Sequence, residues 1–409
     1  MNMPQIFRGR IVQLNFTSIA LQTEKGCFQL SVDSTQGLGR GDVVEVRERH
    51  VTLLTPNRTL EKTTRWMDRT LNPRRLHGLR IRQKVEAGIR EFFNSQNFIE
   101  TKTPLLVPCP GMEPHIRPFE VHCSPSDLPE PKEESATRLF LPTSPEFAMK
   151  RLLIGGLTQI FQICSSFRDE PHSLTHRREF TMLEWYRAFS NDAQIMQDVE
   201  ALFEFLAFAI HGEPSISYQG QKISVKTPWP RLRVRDLFSE FVQIDLVKNS
   251  TREGLAQECL RLGLKPNPTE NWDDLYFKIW LNCIEPKLPS DQAVFVTRYP
   301  ASQAALSVID QDSDGSSWAK RFEVYAGGIE LGNAFEELTD PVEQRRRFVE
   351  DMELRTQVYG SSFPKTPLDE EFLNALTEGM PPSGGIAMGV DRIVMLFANE
   401  PNIEYTTWL

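Results

Sequence analysis

The sequence contains no Cys-x-x-Cys pair, no His-x-x-x-His and no His-Glu-x-x-His. Its six cysteines (Cys27, Cys109, Cys123, Cys164, Cys259 and Cys283) and seven histidines are scattered along the chain. Neither a zinc site nor a disulfide framework is therefore expected. No apolar run approaches the length of a membrane span, and the opening MNMPQIFRGR lacks the apolar core of a signal peptide. The expectation is a soluble, cytoplasmic protein with no membrane partner. Regular strand–helix–strand alternation is also missing, which weighs against a doubly wound parallel sheet.

A chain of 409 residues with 40% hydrophobic and 25% charged content can bury a large core and is long enough for more than one domain. Its charge is unevenly placed. Residues 1–90 carry 16 Lys and Arg against 8 Asp and Glu, a balance of +8 that leaves −17 for the rest of the −9 chain. The front of the chain is suited to an anionic partner such as RNA or an acidic protein, or simply presents a solvated basic face.

Between residues 6 and 56, short alternating runs punctuated by glycine (IFRGRIVQL, SIALQT, CFQLSVD, HVTLLTP) predict a small OB-like β-barrel over 1–56, with GRGDVVEVRER as its closing hairpin. Residues 57–75 are polar and basic and read as a linker. A helix follows, with Ile81, Val85, Ile89, Phe92 and Phe93 on one face, ending near NSQNF. FIETKTPLLVP predicts a strand broken by Pro104, and the Pro- and acid-rich stretch 123–138 an exposed loop. Strands are expected at LFLPTSPEF, LTQIFQICSSFRDE and EFTMLEWYRAF, with a helix at AMKRLLIGG. Residues 191–290 read as mostly helical, and QAVFVTRYP, RFEVYAGGIELGNAFEEL and GGIAMGV return to strand before the helix DRIVMLFAN. Strand following strand predicts an α+β domain over 76–409, an antiparallel sheet flanked by helices.

SSFRDEPHSLTHRREFTMLEW concentrates charge between two apolar runs. A hairpin with Arg168 and Glu170 ending one strand and Phe180 near the start of the next offers a guanidinium for phosphate, a carboxylate for a base amine and an aromatic face for stacking. GGIAMGVDR places Gly389 and Arg392 where a strand meets a helix, allowing close approach of a ligand. The pattern points to a nucleotide site.

FIETKTPLLVP, FRDE…HRREF and GIAMGVDR resemble motifs 1, 2 and 3 of the class II aminoacyl-tRNA synthetases, in that order. TSPEFAMKRLL, EFTMLEWY and RFEVYAGGIELGNAFEELTD resemble the lysine-specific subgroup. The resemblance, over about residues 75–398, implies an AMP-forming, ATP- and Mg²⁺-dependent ligase. It implies that Arg168 holds the α-phosphate and substrate carboxylate, that Phe180 and Arg392 sandwich the adenine, with Arg392 also reaching the γ-phosphate, and that Glu170 reads its amine. Asp169, His176, Arg177, Leu331 and Gly389 complete the ATP site, and Glu323 and Glu330 hold Mg²⁺. For the amino acid it implies Glu337 and Tyr186 at the side-chain ammonium, Glu146 at the backbone-type amine and Asn333 at the carboxylate, with Ser144, Pro145 and Ala387 lining the pocket.

Ser144 and Ala387, where the tRNA synthetases usually have Ala and Gly, together with RYPASQAAL, resemble the elongation factor P (R)-β-lysine ligases. Membership of that family implies transfer of (R)-β-lysine or lysine to a lysine side chain of elongation factor P, with a homodimer expected and tRNA not the expected acceptor. The alternatives are a lysyl-tRNA synthetase-like enzyme charging tRNA and a non-catalytic paralogue binding a translation component. The chain departs from the ligases in its N-terminal extension, in Arg177 and Arg178 where they have Asn-Pro, and in Asn97 where motif 1 usually has glycine.

Overall fold

The computed structural model describes residues 5–23, 25–58, 65–122, 138–360 and 366–408. The chain divides into two compact units, Met1–Arg80 with Glu404–Leu409, and Ile81–Ile403.

In the first unit, β1 (Ile6–Asn15), β2 (Ser18–Thr23), β3 (Gly26–Ser31), β4 (Val43–Arg47) and β5 (His50–Thr55) form an antiparallel sheet of order β3-β2-β1-β4-β5. Its fully buried side chains, Ile11, Ile19, Leu21, Val32, Val44 and Val46, come from the alternating positions of the sequence pattern. GDVVEVRER does form one arm of a hairpin, but its partner is HVTLLT. At Gly9 a β-carbon would lie 2.4 Å from the Gln22 carbonyl oxygen, so only glycine fits there. The short helix α1 (Arg65–Thr70) follows.

Helix α2 (Pro73–Ser95) carries the expected apolar face, and Phe93 stacks on Phe161 at 4.9 Å with Trp185 at 5.1 Å. Just beyond it, Asn97 has φ +62°, so the position asks for a residue that tolerates the left-handed region; asparagine does so where most side chains do not. The remaining elements are β6 (Ile99–Glu100), β7 (Glu120–His122), β8 (Arg138–Phe140), α3 (Glu146–Ile154), β9 (Gln159–Phe167), β10 (Glu179–Ala188), α4 (Asp192–His211), β11 (Ser215–Tyr218), β12 (Gln221–Ser224) and β13 (Arg231–Arg233). Then come α5 (Val234–Val242), α6 (Arg252–Arg261), α7 (Trp272–Ile279), β14 (Val294–Pro300), β15 (Ile309–Gln311), β16 (Ser317–Ala326), β17 (Ile329–Glu336), α8 (Pro341–Tyr359), α9 (Glu370–Gly379), β18 (Ser383–Gly389) and α10 (Val390–Phe397).

The central sheet runs β13-β14-β16-β17-β18-β10-β9-β6, with β15 on β16. It is antiparallel except at β6–β9 and β13–β14. Its apolar face packs on α2, α4 and α10 through a core that includes Val85, Phe203, Trp185, Phe322 and Ile393. The domain is thus α+β, with an antiparallel-rich sheet flanked by helices.

Two local expectations are corrected. FIETKTPLLVP is strand only at Ile99–Glu100, because Thr101 and Thr103 turn to hydrogen-bond Gln162 and the prolines that follow lack donors. Residues 191–290 are not helical throughout: the hairpin β11–β12 and strand β13 interrupt them. The loop expected over 123–138 lies outside the described residues except for Arg138, which opens β8.

Candidate active site

Cross-strand register sets the floor of the site. Glu184 of β10 is opposite Ala387 of β18, Ala387 opposite Asn333 of β17, and Asn333 opposite Glu323 of β16. A row so aligned presents its side chains on one face. Two residues along, Tyr186, Gly385, Phe335 and Arg321 form a second row on that face. Above it opens a cavity of about 540 Å³.

Thirteen of the residues singled out in the sequence meet at its wall: Ser144, Glu146, Arg168, Glu170, His176, Arg177, Phe180, Glu330, Leu331, Asn333, Ala387, Gly389 and Arg392. Pro145, Asp169, Tyr186, Glu323 and Glu337 lie outside that lining. Asp169 instead pairs with Arg117 and Arg178, both at 3.3 Å, so Arg178 braces the hairpin from outside.

At the nucleotide end, β9 ends at Phe167 and β10 pairs back with Phe180 opposite Ser166, so Arg168 sits over the Phe180 ring at 5.2 Å. The Arg168 Nε is buried without a partner. Arg392, in the first turn of α10, donates to the Glu330 carbonyl at 2.8 Å and the Thr175 carbonyl at 3.3 Å, and its Nη2 lies 2.7 Å from His176 Nε2. Burial, and after it the charge of Arg392, lowers the His176 pKa, which keeps the ring neutral. Asp391 fixes this corner: one carboxylate oxygen takes the Arg82 guanidinium and the other accepts the Thr181 backbone N–H at 2.6 Å.

The amino-acid end is dominated by acid. Lys150, fully buried on α3, lies 2.6 Å from Glu146 and 2.6 Å from Glu337. Burial alone would lower the Lys150 pKa, but these two carboxylates outweigh it and hold the ammonium firmly charged. Beside them Glu184 is 1% exposed, receives the Tyr186 hydroxyl at 3.0 Å on one oxygen and has no partner on the other. Burial raises the pKa of all three acids, Glu337 to about 8 and Glu184 well above the usual carboxylate range, where the Glu146 charge adds to the effect. Three carboxylates against one lysine leave a desolvated deficit of positive charge that a cationic ligand relieves.

Of the expected metal ligands, Glu330 is raised to about 7 by burial and by the Glu323 charge. A divalent cation suits that pair of oxygen ligands and removes the repulsion. Glu323 is more engaged, accepting from Arg321 at 2.6 Å and from the Tyr325 hydroxyl at 2.8 Å. These residues fit Mg²⁺ once Arg321 yields an oxygen.

Two residues of this site were not singled out in the sequence. Glu184 precedes Tyr186 by two in TMLEWY, so strand alternation puts both on one face; Lys150 follows Glu146 by four on a helix, the spacing of an ion pair.

A family model described as class II tRNA synthetases (D, K and N) matches residues 57–408. A lysine–tRNA ligase of Pelotomaculum thermopropionicum is 33% identical over 342 residues, 83% of this chain and 64% of that protein. Lysine–tRNA ligases of Rhizobium meliloti, 33% identical, and Coxiella burnetii, 34% identical, match 83% of this chain and 65% of their own length. The chain therefore spans slightly under two thirds of the length of these relatives. With the motif residues gathered at one cavity and the model matched over most of its length, the chain belongs to the class II tRNA synthetase family of the D, K and N type.

Proposed function

We propose that the chain activates a lysine-type diamino acid with ATP and Mg²⁺ to an acyl-adenylate and transfers it to an acceptor. The observation that carries this is the buried excess of carboxylate, Glu146, Glu184 and Glu337 against Lys150, of which Glu146 and Glu184 line one cavity with Arg168, Phe180 and Arg392. A molecule with two ammonium groups matches such a pocket, and a neutral side chain leaves its acids unpaired.

The substrate carboxylate attacks the α-phosphorus and pyrophosphate leaves. Arg168 neutralises charge on the phosphate and Arg392 steadies the triphosphate, so that positioning and electrostatics supply the rate without a covalent enzyme intermediate. Glu323 and Glu330 would hold Mg²⁺, which when bound would neutralise charge on the phosphates.

For the acceptor, similarity to lysine–tRNA ligases supports tRNA, against the expectation from the sequence motifs. A second reading, transfer of (R)-β-lysine or lysine to a lysine side chain of elongation factor P, is supported by Ser144 and Ala387, both at the cavity wall where an α- and a β-amine differ by one carbon. The N-terminal sheet as an OB-like module and a homodimeric state belong to the same proposal. The experiment is to incubate radiolabelled lysine and β-lysine with ATP and either bulk tRNA or purified elongation factor P. Label on tRNA selects the first reading, and label on the protein selects the second. No label on either, with no pyrophosphate exchange, overturns both.

A further inference from the structure

The segment RYPASQAAL borders the cavity through Ser302, Gln303, Ala305 and Leu306. It begins in the last three residues of β14, on the flank of the sheet remote from the β9–β10 hairpin. There Ser302 and Gln303 meet the first turn of α7 at the cavity wall. Asp273 accepts the Ser302 hydroxyl at 2.7 Å and the Gln303 amide Nε2 at 3.1 Å on the same oxygen. The Nε2 contact fixes the Gln303 amide plane, and the Ser302 contact holds the Asp273 oxygen that accepts it. The Gln303 backbone is held as well, its carbonyl accepting from Arg321 at 3.0 Å.

What remains is the Gln303 Oε1. Gln303 is 7% exposed and this oxygen is buried without a partner. A buried acceptor left unpaired costs about 1–3 kcal/mol, so a position that keeps one is suited to a donor arriving from the cavity. Asp273 and Asp274 line the same mouth and add negative charge. An amine is attracted by that mouth, and a phosphodiester chain is repelled.

We propose that Gln303, oriented by Asp273 and Ser302, is the subsite for the acceptor nucleophile, and that the acceptor it takes is a primary amine. The assignment rests on the adenylate reading above and, of its two acceptors, on the lysine side chain. The substrate's own ammonium groups are already matched by Glu146, Glu184 and Glu337, so the Gln303 oxygen serves the second reactant. The amine enters neutral after losing a proton to water and donates one N–H to Oε1, which turns its lone pair toward the acyl carbon. Its nitrogen then bonds to that carbon, the carbon–oxygen bond to AMP breaks, AMP leaves with the electron pair and the nitrogen sheds its second proton to water.

The test uses the full chain with ATP, Mg²⁺ and lysine or β-lysine, and Nα-acetyl-lysine amide as the amine probe. AMP release and ATP–pyrophosphate exchange are read in parallel. The parent should release AMP faster with the probe. Gln303→Leu and Asp273→Ala should each lower probe-dependent release about 10-fold or more, while exchange stays within about two-fold. Retained exchange together with an unchanged melting temperature guards against a folding defect in the leucine variant. A parent whose AMP release responds to tRNA and not to the amine overturns the subsite. So do variants in which release and exchange fall together, or in which neither changes. A parent without exchange overturns the adenylate reading instead.

Discussion

The Asp391 carboxylate joins the Arg82 guanidinium of α2 to the Thr181 backbone N–H of β10, with side-chain exposures of 2% for Asp391 and 12% for Arg82. Thr181 follows Phe180 and Asp391 precedes Arg392, so one buried pair holds both walls of the proposed adenine site at their spacing. Breaking such a pair from one side leaves an uncompensated charge and costs about 3–5 kcal/mol. Arg82→Ala should lower the melting temperature and raise KM for ATP about 10-fold or more, with KM for lysine little changed. Thermal unfolding and exchange kinetics check this, and an equal rise in both KM values contradicts it.

The amino-acid pocket should show its own pH dependence. Burial raises the pKa of Glu337 to about 8 and that of Glu184 well above the usual carboxylate range, so both resist ionising unless a cation such as the substrate ammonium faces them. An acid with a raised pKa gains its charge only as pH rises through that value, so KM for lysine should fall from pH 6 to pH 8.5 while KM for ATP changes less. In stability the sign is opposite: without ligand, Glu337 favours the folded state below the ordinary carboxylate range and loses that contribution as pH rises toward about 8. A lysine KM flat over this interval contradicts the assignment.

Gly385 has no room for a side chain. A β-carbon there would lie 2.3 Å from the Tyr186 ring and 2.5 Å from Glu337 Oε1. Gly385→Ala should displace both groups and weaken lysine activation about 10-fold or more, since overpacking a tight site costs about 1–3 kcal/mol. The nucleotide end lies elsewhere on the wall, so ATP binding measured by fluorescence should hold.

The sequence made the nucleotide end far more legible than the amino-acid end. Arg168, Phe180 and Arg392 occupy short motifs whose charge sits abruptly between apolar runs, and a hairpin register brings them together with little further information. Glu184 and Lys150 were hidden because each reads as an ordinary strand or helix position until burial shows that both belong to one acidic cluster with Glu146 and Glu337. β6 was overestimated because TKTPLLVP is apolar enough for a strand, while side-chain bonds from Gln162 take over its backbone. Gln303 carried no signal of its own; only its orphaned oxygen distinguishes it from a packed glutamine.

Ala387 stands between Glu184 and Asn333 in the cross-strand row, so its methyl projects into the amino-acid pocket. One methyl in a shaped pocket is worth about 1–3 kcal/mol, or roughly 10- to 200-fold in kcat/KM. Ala387→Gly should improve activation of α-lysine relative to β-lysine by about that range. Exchange rates with both isomers check it, and an unchanged preference removes Ala387 as the discriminator.

The adenylate is the centre of the account, and ATP–pyrophosphate exchange driven by lysine or β-lysine with Mg²⁺ tests it most directly. The parent should exchange, and Arg168→Ala and Arg392→Ala should each reduce it by about 100-fold or more, the loss of about 3 kcal/mol that follows removal of a preorganised charge donor. No exchange by the parent with either isomer, or exchange at the parental rate in either variant, contradicts it.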